Sequence, residues 1–419
     1  MKRILTAIAL ALVVVWACTE TPKEKEIGVY VPSDGNLDRY PTPEAVSELL
    51  DSIASVGFNS IVLDVKPVVG YAYYESKYLE PIRHARGYDP VKRDWDYVET
   101  FMKEAGKRGI DVTLSVCTLT LGASQLGPDG PAYSDSTKNG WFCVQYLPEG
   151  LSDIRDSREE GVFCFLNPVL PEVREFVKAY VTEILEKYHP KSFSLDYCRY
   201  NNLHSDFSEA SRRAFEEYIG EPVENFPEDI FTYGEHAWDI IPGKHYQKWF
   251  EWRTGVISSL VEELSDIIHS HGAKVRFWSP SWWHAVQRNS GQNWASPDAA
   301  DFIAEEVARH GYDYISPDYA KTGFAKCIDE FELGAYLPHV YGMEDLESME
   351  YAVYRAKNLL KGSGAKLIGT FAWEADMCDA MDFMYNNTEG GVTYFAVDTF
   401  VKRNLWGEAR KAIERAKNK

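Results

Sequence analysis

Asp196 closes an apolar run, Ser192-Phe193-Ser194-Leu195, and is followed at once by Tyr197, Arg199 and Tyr200. Glu374 stands the same way after Phe371-Ala372-Trp373. Two carboxyl groups delivered to one cleft by different strands can flank a glycosidic bond. One donates a proton to the leaving oxygen, and the other attacks the anomeric carbon or activates water. Asp196 and Glu374 are therefore the candidate catalytic pair, and the residue types leave open which is acid and which nucleophile. Arg199 and Tyr200 would orient Asp196 or contact the sugar. Asp64, with Lys66 two residues on, and Asp398 end two further apolar runs. Trp278, Trp282, Trp283, Tyr341 and Trp373, with His339, crowd similar positions and offer flat faces to sugar rings. Each has a plainer reading beside it. Asp196 would pair with Arg199, Asp64 with Lys66, and Asp398 with solvent. Glu374 would be a helix N-terminal acid, the Trp282-Trp283 pair rim packing, and His339 a satisfied core histidine.

Such placement needs strands that all point the same way. Apolar runs at residues 27–31, 60–65, 110–117, 192–197, 274–279, 333–341, 367–372 and 391–397 read as eight buried strands. Helical patterns separate them. Thr42 and Pro43 open one helix, which Gly57 ends. Residues 96–108, 171–188, 245–271, 298–310 and 405–416 carry others. Two polar insertions, 121–162 and 201–242, interrupt the alternation, the second holding a helix at 208–219. Residues 312–316 read as a connection and 319–331 as helix-like. Eight strands with intervening helices predict an α/β fold, a (β/α)₈ TIM barrel with long loop insertions, whose strand carboxyl ends hold the chemistry. No glycine-rich phosphate loop follows any strand, which removes support for a nucleotide-binding sheet.

The 419 residues carry 44 Lys+Arg against 64 Asp+Glu, a net charge of −20. That charge repels phosphate backbones and excludes nucleic acid as the expected partner. Lys2-Arg3, the apolar run 4–15 and Ala17-Cys18 read as a lipoprotein signal peptide over 1–17. Cys18 would be the lipidated residue and 18–26 a polar tether. A plain secretory signal cut near Ala17 is the alternative. The expectation is a single barrel domain over 27–419, held at a bacterial cell envelope through its lipid anchor alone. Cys117, Cys143, Cys164, Cys198, Cys327 and Cys378 form no CxxC pair. Cys143 and Cys164 are the nearest for a disulfide, and free buried thiols are equally compatible. His269 and His271, two residues apart on one helix, do not share a face, so neither metal nor cofactor is expected.

Ser194-Leu195-Asp196-Tyr197-Cys198-Arg199-Tyr200 resembles the strand-four motif of the glycosyl-hydrolase-like family ten lipoproteins. Asn167-Pro168 with Pro171-Glu172-Val173-Arg174 is similar to that family's approach to the preceding helix. Gly70 to Ser76 resembles its segment after strand two, and Trp252-Arg253 its long helix. The resemblance implies a barrel acting on an oligo- or polysaccharide, with Asp196 central and Asn167 among the substrate-binding residues. Some members are linked to peptidoglycan or hexosamine polymers. Asn201 replaces the usual proline, and strand five ends in aromatics without an acid. The alternative is a non-catalytic glycan-binding lipoprotein on the same scaffold.

Overall fold

The computed structural model describes residues 24–33, 40–82, 95–124, 130–157, 162–236 and 239–418; Cys18, the signal segment and most of the tether lie outside the described residues. Eight parallel strands close into one barrel. They are β1 (Glu26–Val31), β2 (Ser60–Lys66), β3 (Asp111–Cys117), β4 (Ser192–Asp196), β5 (Lys274–Pro280), β6 (Glu330–Gly334), β7 (Lys366–Phe371) and β8 (Gly391–Tyr394). Each pairs with its neighbour in sequence, and β8 returns to β1 from Glu26–Gly391 to Val29–Tyr394. The (β/α)₈ expectation is met.

A helix follows every strand: α1 (Pro43–Val56), α2 (Tyr97–Lys107), α3 (Pro171–Tyr188), α4 (Tyr246–Ser270), α5 (Ala300–His310), α6 (Met349–Leu359), α7 (Met377–Asn387) and α8 (Trp406–Lys417). Their ends follow from local chemistry. The Thr42 hydroxyl accepts the Ala45 N–H at 3.2 Å, Pro43 takes the first turn, and Gly57 at φ 104° closes α1. On α3, Val173, Phe176, Val177, Tyr180, Val181 and Ile184 recur at helical spacing and are all buried.

Alternate strand residues face opposite ways. Ile61, Leu63, Val65, Leu114, Val116, Phe193, Leu195, Val275, Phe277, Phe331 and Leu333 face the helices in one continuous core. The other row lines the barrel interior, where alternate strands supply alternate layers. Following the register, Gly28, Thr113, Arg276 and Ile368 form a floor, with Val62, Ser194, Glu332 and Thr393 above it. Tyr30, Ser115, Trp278 and Thr370 come next, and Asp64, Asp196 and Gly334 stand at the mouth. Tyr30, Val62 and Ala396 pack together with Trp278 as a small separate cluster, as this stacking requires.

Three sequence expectations are corrected. The sixth strand lies at Glu330–Gly334, not 333–341, so His339 and Tyr341 sit in the loop beyond it. Its alternation of Glu330, Phe331, Glu332 and Leu333 hides a strand whose acids point inward. Residues 319–331 are not one helix but two short turns, Tyr319–Thr322 and Ala325–Cys327. A Cβ on Gly323 would lie 2.3 Å from the Ala295 carbonyl oxygen, so the chain passes too close there for a regular helix. The first insertion is structured: Thr120–Ala123 pairs with Phe163–Phe165, and Val144–Leu147 with Gly150–Asp153. The second holds the expected helix, Glu209–Ile219, and a hairpin of Phe231–Tyr233 with Ile240–Pro242. The six cysteines from Cys117 to Cys378 are free thiols, so Cys143 and Cys164 are not bridged. Among the described residues no helix is long and apolar enough to cross a membrane.

Phe277 joins the two sides of this design. It is fully buried between β5 and its helices, with its ring 4.5 Å from that of Phe324. Phe277→Ala is expected to cost about 3–5 kcal/mol, read as a lower urea midpoint at unchanged m-value.

Candidate active site

Asp196 is the last residue of β4, half-buried at the mouth. Tyr197 follows in the left-handed region at φ 46°, and its N–H donates to Asp196 Oδ1 at 2.6 Å. A bulky residue holds that conformation only where its surroundings enforce it. Here the Tyr197 ring lies 6.0 Å from Phe165, and the Arg199 guanidinium packs against both, 4.5 Å from the Tyr197 ring and 5.4 Å from that of Phe165. Arg199 donates to the carbonyls of Tyr200 and Asn201, each at 3.2 Å, and acts on Asp196 through its field. The first insertion therefore builds one wall of the mouth, because Phe165 belongs to it.

The opposite wall is aromatic. Trp278 lies one register step beyond the Phe277–Leu195 pair and directly opposite Glu332. Its ring centroid is 6.0 Å from Tyr336, Tyr336 is 5.6 Å from Phe395, and Phe395 is 5.3 Å from Tyr30. The four rings form an arc around the mouth. Gly334 makes room for it, since a Cβ there would lie 2.5 Å from Trp278 Cζ2.

Beneath the arc lies Glu332, fully buried on β6. Thr370 Oγ1 donates to its Oε1 at 2.7 Å, and Arg276 Nη1 stands 3.7 Å from its Oε2. Burial pushes the Asp196 carboxyl up to about 7, against the pull of the Tyr197 N–H and Arg199. Burial also pushes Glu332 up to about 7; Arg276 and Thr370 oppose this, while Glu26 and Asp196 add to it. The Asp196 carboxyl thus adds to the rise of Glu332, though less than burial does. Tyr30 and Tyr336 are raised well above the usual phenol range, by burial first and by both acids after it.

Other sequence candidates fall in different places. Asp64 is half-buried in the same mouth layer as Asp196, two strands away; a bulge between Asp64 and Lys66 turns Lys66 toward the helix layer, its ammonium 5.6 Å from the Tyr180 ring. Lys66 is buried, donates to the carbonyls of Cys117 and Thr120, and is lowered by burial to about 8. Glu374 is exposed beyond β7, and its field reaches Tyr394, which belongs to the helix-facing core. Glu332, rather than Glu374, lies in the field of Asp196. Trp373 is exposed, with the Arg403 guanidinium 5.6 Å from its ring. Trp282 is exposed and Trp283 fully buried, so only Trp282 has a free face among that pair. Asn167 and Tyr200 are buried away from the mouth. The Asn167 amide donates to Asp206 at 2.6 Å and Ser208 at 3.0 Å, and the Tyr200 ring lies 4.5 Å from the Arg253 guanidinium. His339 is exposed and pairs with Asp345 at 2.5 Å. Tyr341 is exposed, its ring 5.7 Å edge-on to Phe383. Asp398 pairs with Lys402 at 3.3 Å. A groove of about 770 Å³ runs outside the barrel, beside α4 and Asp318, but its size does not make it the site, because the perturbed acids are at the mouth.

Sequence reasoning missed Glu332, Tyr30, Tyr336 and Phe395. The period-two alternation over 330–333 was the available signal for Glu332. Tyr30 sits in the first strand with the parity of the inward row. Among the described residues no cluster of three His, Cys, Asp or Glu is placed to hold a metal.

Comparison with known proteins agrees with the barrel fold. A family profile described as Glycosyl hydrolase-like 10 matches residues 27–332. An S-layer-related protein of Niallia circulans is 26% identical over 331 residues, covering 74% of this chain. The chain spans 20% of that relative's length. The glycoside hydrolase domain of PgaB (BpsB) from Bordetella bronchiseptica superposes with a TM-score of 0.59 at 14% identity, over 93% of this chain and 98% of that one. The catalytic domain of beta-amylase from Paenibacillus polymyxa gives 0.56 at 12% identity, over the same shares of 93% and 98%. At such identities the likeness is one of fold.

Two outcomes follow from the geometry. Gly334→Ala must displace the Trp278 indole, so tryptophan emission from the mouth should shift and the Tm fall by a few degrees. For Glu332, whose folded value is raised, stability is fully present below pH 4.5 and is lost as pH rises through about 7. Glu332→Gln removes that loss. Relative to the parent protein it should gain on the order of 2–3 kcal/mol on going from pH 5 to pH 8, measured by urea unfolding at both.

Proposed function

The chain belongs to the glycosyl hydrolase-like 10 family, and from that premise we propose that it hydrolyses O-glycosidic bonds of an envelope or extracellular glycan, with Asp196 as the proton donor. The observation that carries the reading is a carboxyl at a barrel mouth, beside an arc of aromatic rings, that holds its proton up to about pH 7. An acid with that proton affinity is matched to protonating a leaving oxygen near neutrality.

Asp64 is the facing carboxyl in this reading. It shares the mouth layer with Asp196 and stands two strand spacings from it, about 10 Å between backbones. The Lys66 ammonium behind it favours a negative neighbour. In this reading one acid gives the proton and the other attacks or activates water, the division of labour that hydrolysis of a glycoside needs. Trp278, Tyr336 and Phe395 supply stacking faces on one side and Tyr197 on the other. Trp282 and Trp373, exposed farther out, extend the surface for a longer chain. Glu374 has no part in the chemical step.

The decisive experiment is a reducing-end assay of the purified protein against envelope and host polysaccharides. Asp196→Asn should keep its fold and lose at least about 100-fold in turnover, and Asp64→Asn should lose comparably. Glu374→Gln should stay within a few-fold of the parent. Activity should decline as pH rises through 7, because the donor then lacks its proton. Full activity in Asp196→Asn would overturn the assignment. Glycan binding without reducing ends at any pH would make the protein a binding module instead.

We propose further that Cys18 carries a lipid that holds the barrel at the envelope, on the strength of the apolar run before it. Cys18→Ser should move the protein from the membrane fraction to the soluble one. A protein still retained after a high-salt wash would refute the anchor.

A further inference from the structure

Arg276 crosses the floor of the barrel from β5 to β1. Its Nη1 and Nη2 donate to the two carboxylate oxygens of Glu26, at 3.0 and 2.5 Å. Its Nε and Nη2 donate to Glu330 Oε2, at 3.2 and 3.0 Å. Lys274 donates to the other oxygen of Glu330 at 2.8 Å, and Ser60 to Glu26 at 3.0 Å. Two cations thus meet two carboxylates, and the floor is neutral without Glu332. Glu332 is a third carboxyl against the same guanidinium, in reach of its field but without a hydrogen bond from it.

We propose that the Glu26–Arg276–Glu330 clamp is a positioning element: by occupying the Arg276 donors it leaves Glu332 without a guanidinium hydrogen bond, and so limits the negative charge that stands one layer below Asp196. This rests on Asp196 as the proton donor. A negative Glu332 one layer below would oppose the negative charge that Asp196 acquires when it gives up its proton, making it a weaker acid. The groups facing Glu332 are Arg276 and Lys274 from β5, Glu26 and Tyr30 from β1, Glu330 on its own strand, Tyr336 beyond it, and Asp196 from β4. Those facing Asp196 are Tyr197, Arg199, Tyr30, Tyr336 and Glu332, with Cys117 on β3 and Asp64 and Lys66 on β2. Among these, Arg276 touches Glu332 most closely, and its hydrogen bonds go to the clamp.

The clamp can be opened without touching either acid. Glu330→Gln, or independently Glu26→Gln, removes one negative charge from the floor and frees guanidinium donors for Glu332. Glu332 then ionises, and the negative charge moves one layer closer to Asp196. The readout is a ¹³C-carboxyl NMR titration of aspartate-labelled protein, with the Asp196 signal assigned by its loss in Asp196→Asn. Opening the clamp should raise the Asp196 midpoint by about one pH unit. Adding Glu332→Gln to Glu330→Gln should return it to the parent value. A residue that merely stabilised the fold would not produce that reversal. An unmoved midpoint in both clamp variants, or a raised midpoint that the double variant does not restore, would overturn the proposal. The titration needs no substrate, so an active Asp196→Asn would remove the proton-donor reading while leaving the clamp's effect on Asp196 measured.

Discussion

Arg276 is the interaction on which the rest of the barrel depends. A fully buried guanidinium is tolerable only when its charge and its donors are met, and removing one partner of such a group costs far more than the pair contributes. Arg276 meets Glu26 across the interior and Glu330 on the adjacent strand. The first of these contacts ties β5 to the seam where β8 closes on β1. That seam is tight: a Cβ on Gly391 would lie 2.0 Å from the Glu26 carbonyl oxygen, and one on Gly28 would lie 2.8 Å from Glu26 Oε1. Close backbone approach at the seam dictates glycine at 391, and room for the Glu26 carboxylate favours it at 28. The interior elsewhere on the lower layers is correspondingly small and polar, with Ser60, Thr113, Ser194 and Thr393 where many barrels carry bulky aliphatic side chains.

The mouth inherits its character from that floor. Tyr30 and Trp278 are the first aromatic groups above the lower layers, and they separate Glu332 from the cleft. Burial then acts on the two acids in different ways. Glu332 is enclosed and has one hydroxyl donor, whereas Asp196 is half-buried and has a backbone N–H from a residue in a left-handed conformation. A donor aimed at the charged form means that Asp196 is accommodated in both protonation states. Proton transfer from a fixed position requires that property.

The outer shell was legible in the sequence because helix-facing residues obey simple periodicities. Thr42, Pro43 and Gly57 mark the ends of α1, and the apolar stripe of α3 is continuous. Asp196 was legible for the same reason: it directly follows the apolar run 192–195, so its place at a strand end needs no tertiary knowledge. Glu332 was not. Two glutamates in four residues look like a solvated face, and only a buried arginine fifty-odd residues earlier in the chain makes their inward orientation tolerable. That compensation is a tertiary fact, invisible to local pattern. Glu374 is placed differently. It follows the seventh strand by count, but it is exposed, and its field reaches Tyr394 of the helix-facing core.

The insertions are part of the same logic and not decoration on it. The two strands Thr120–Ala123 and Phe163–Phe165 bring Phe165 beside Tyr197, and the second insertion anchors the first through Asp206, which accepts from Asn167, Ser211 and the Val144 N–H. Asn167 thus contributes to the mouth at one remove, by fixing the segment that holds Tyr197 in place. Tyr197 in turn supplies the N–H that stabilises ionised Asp196. A cleft wall built this way can change its outer loops without disturbing the acid, provided that the Asn167–Asp206 anchor and the Phe165–Tyr197–Arg199 stack persist. The insertions thus shape the cleft wall and, through Tyr197 and Arg199, also act on the Asp196 carboxyl, whose proton is favoured chiefly by burial.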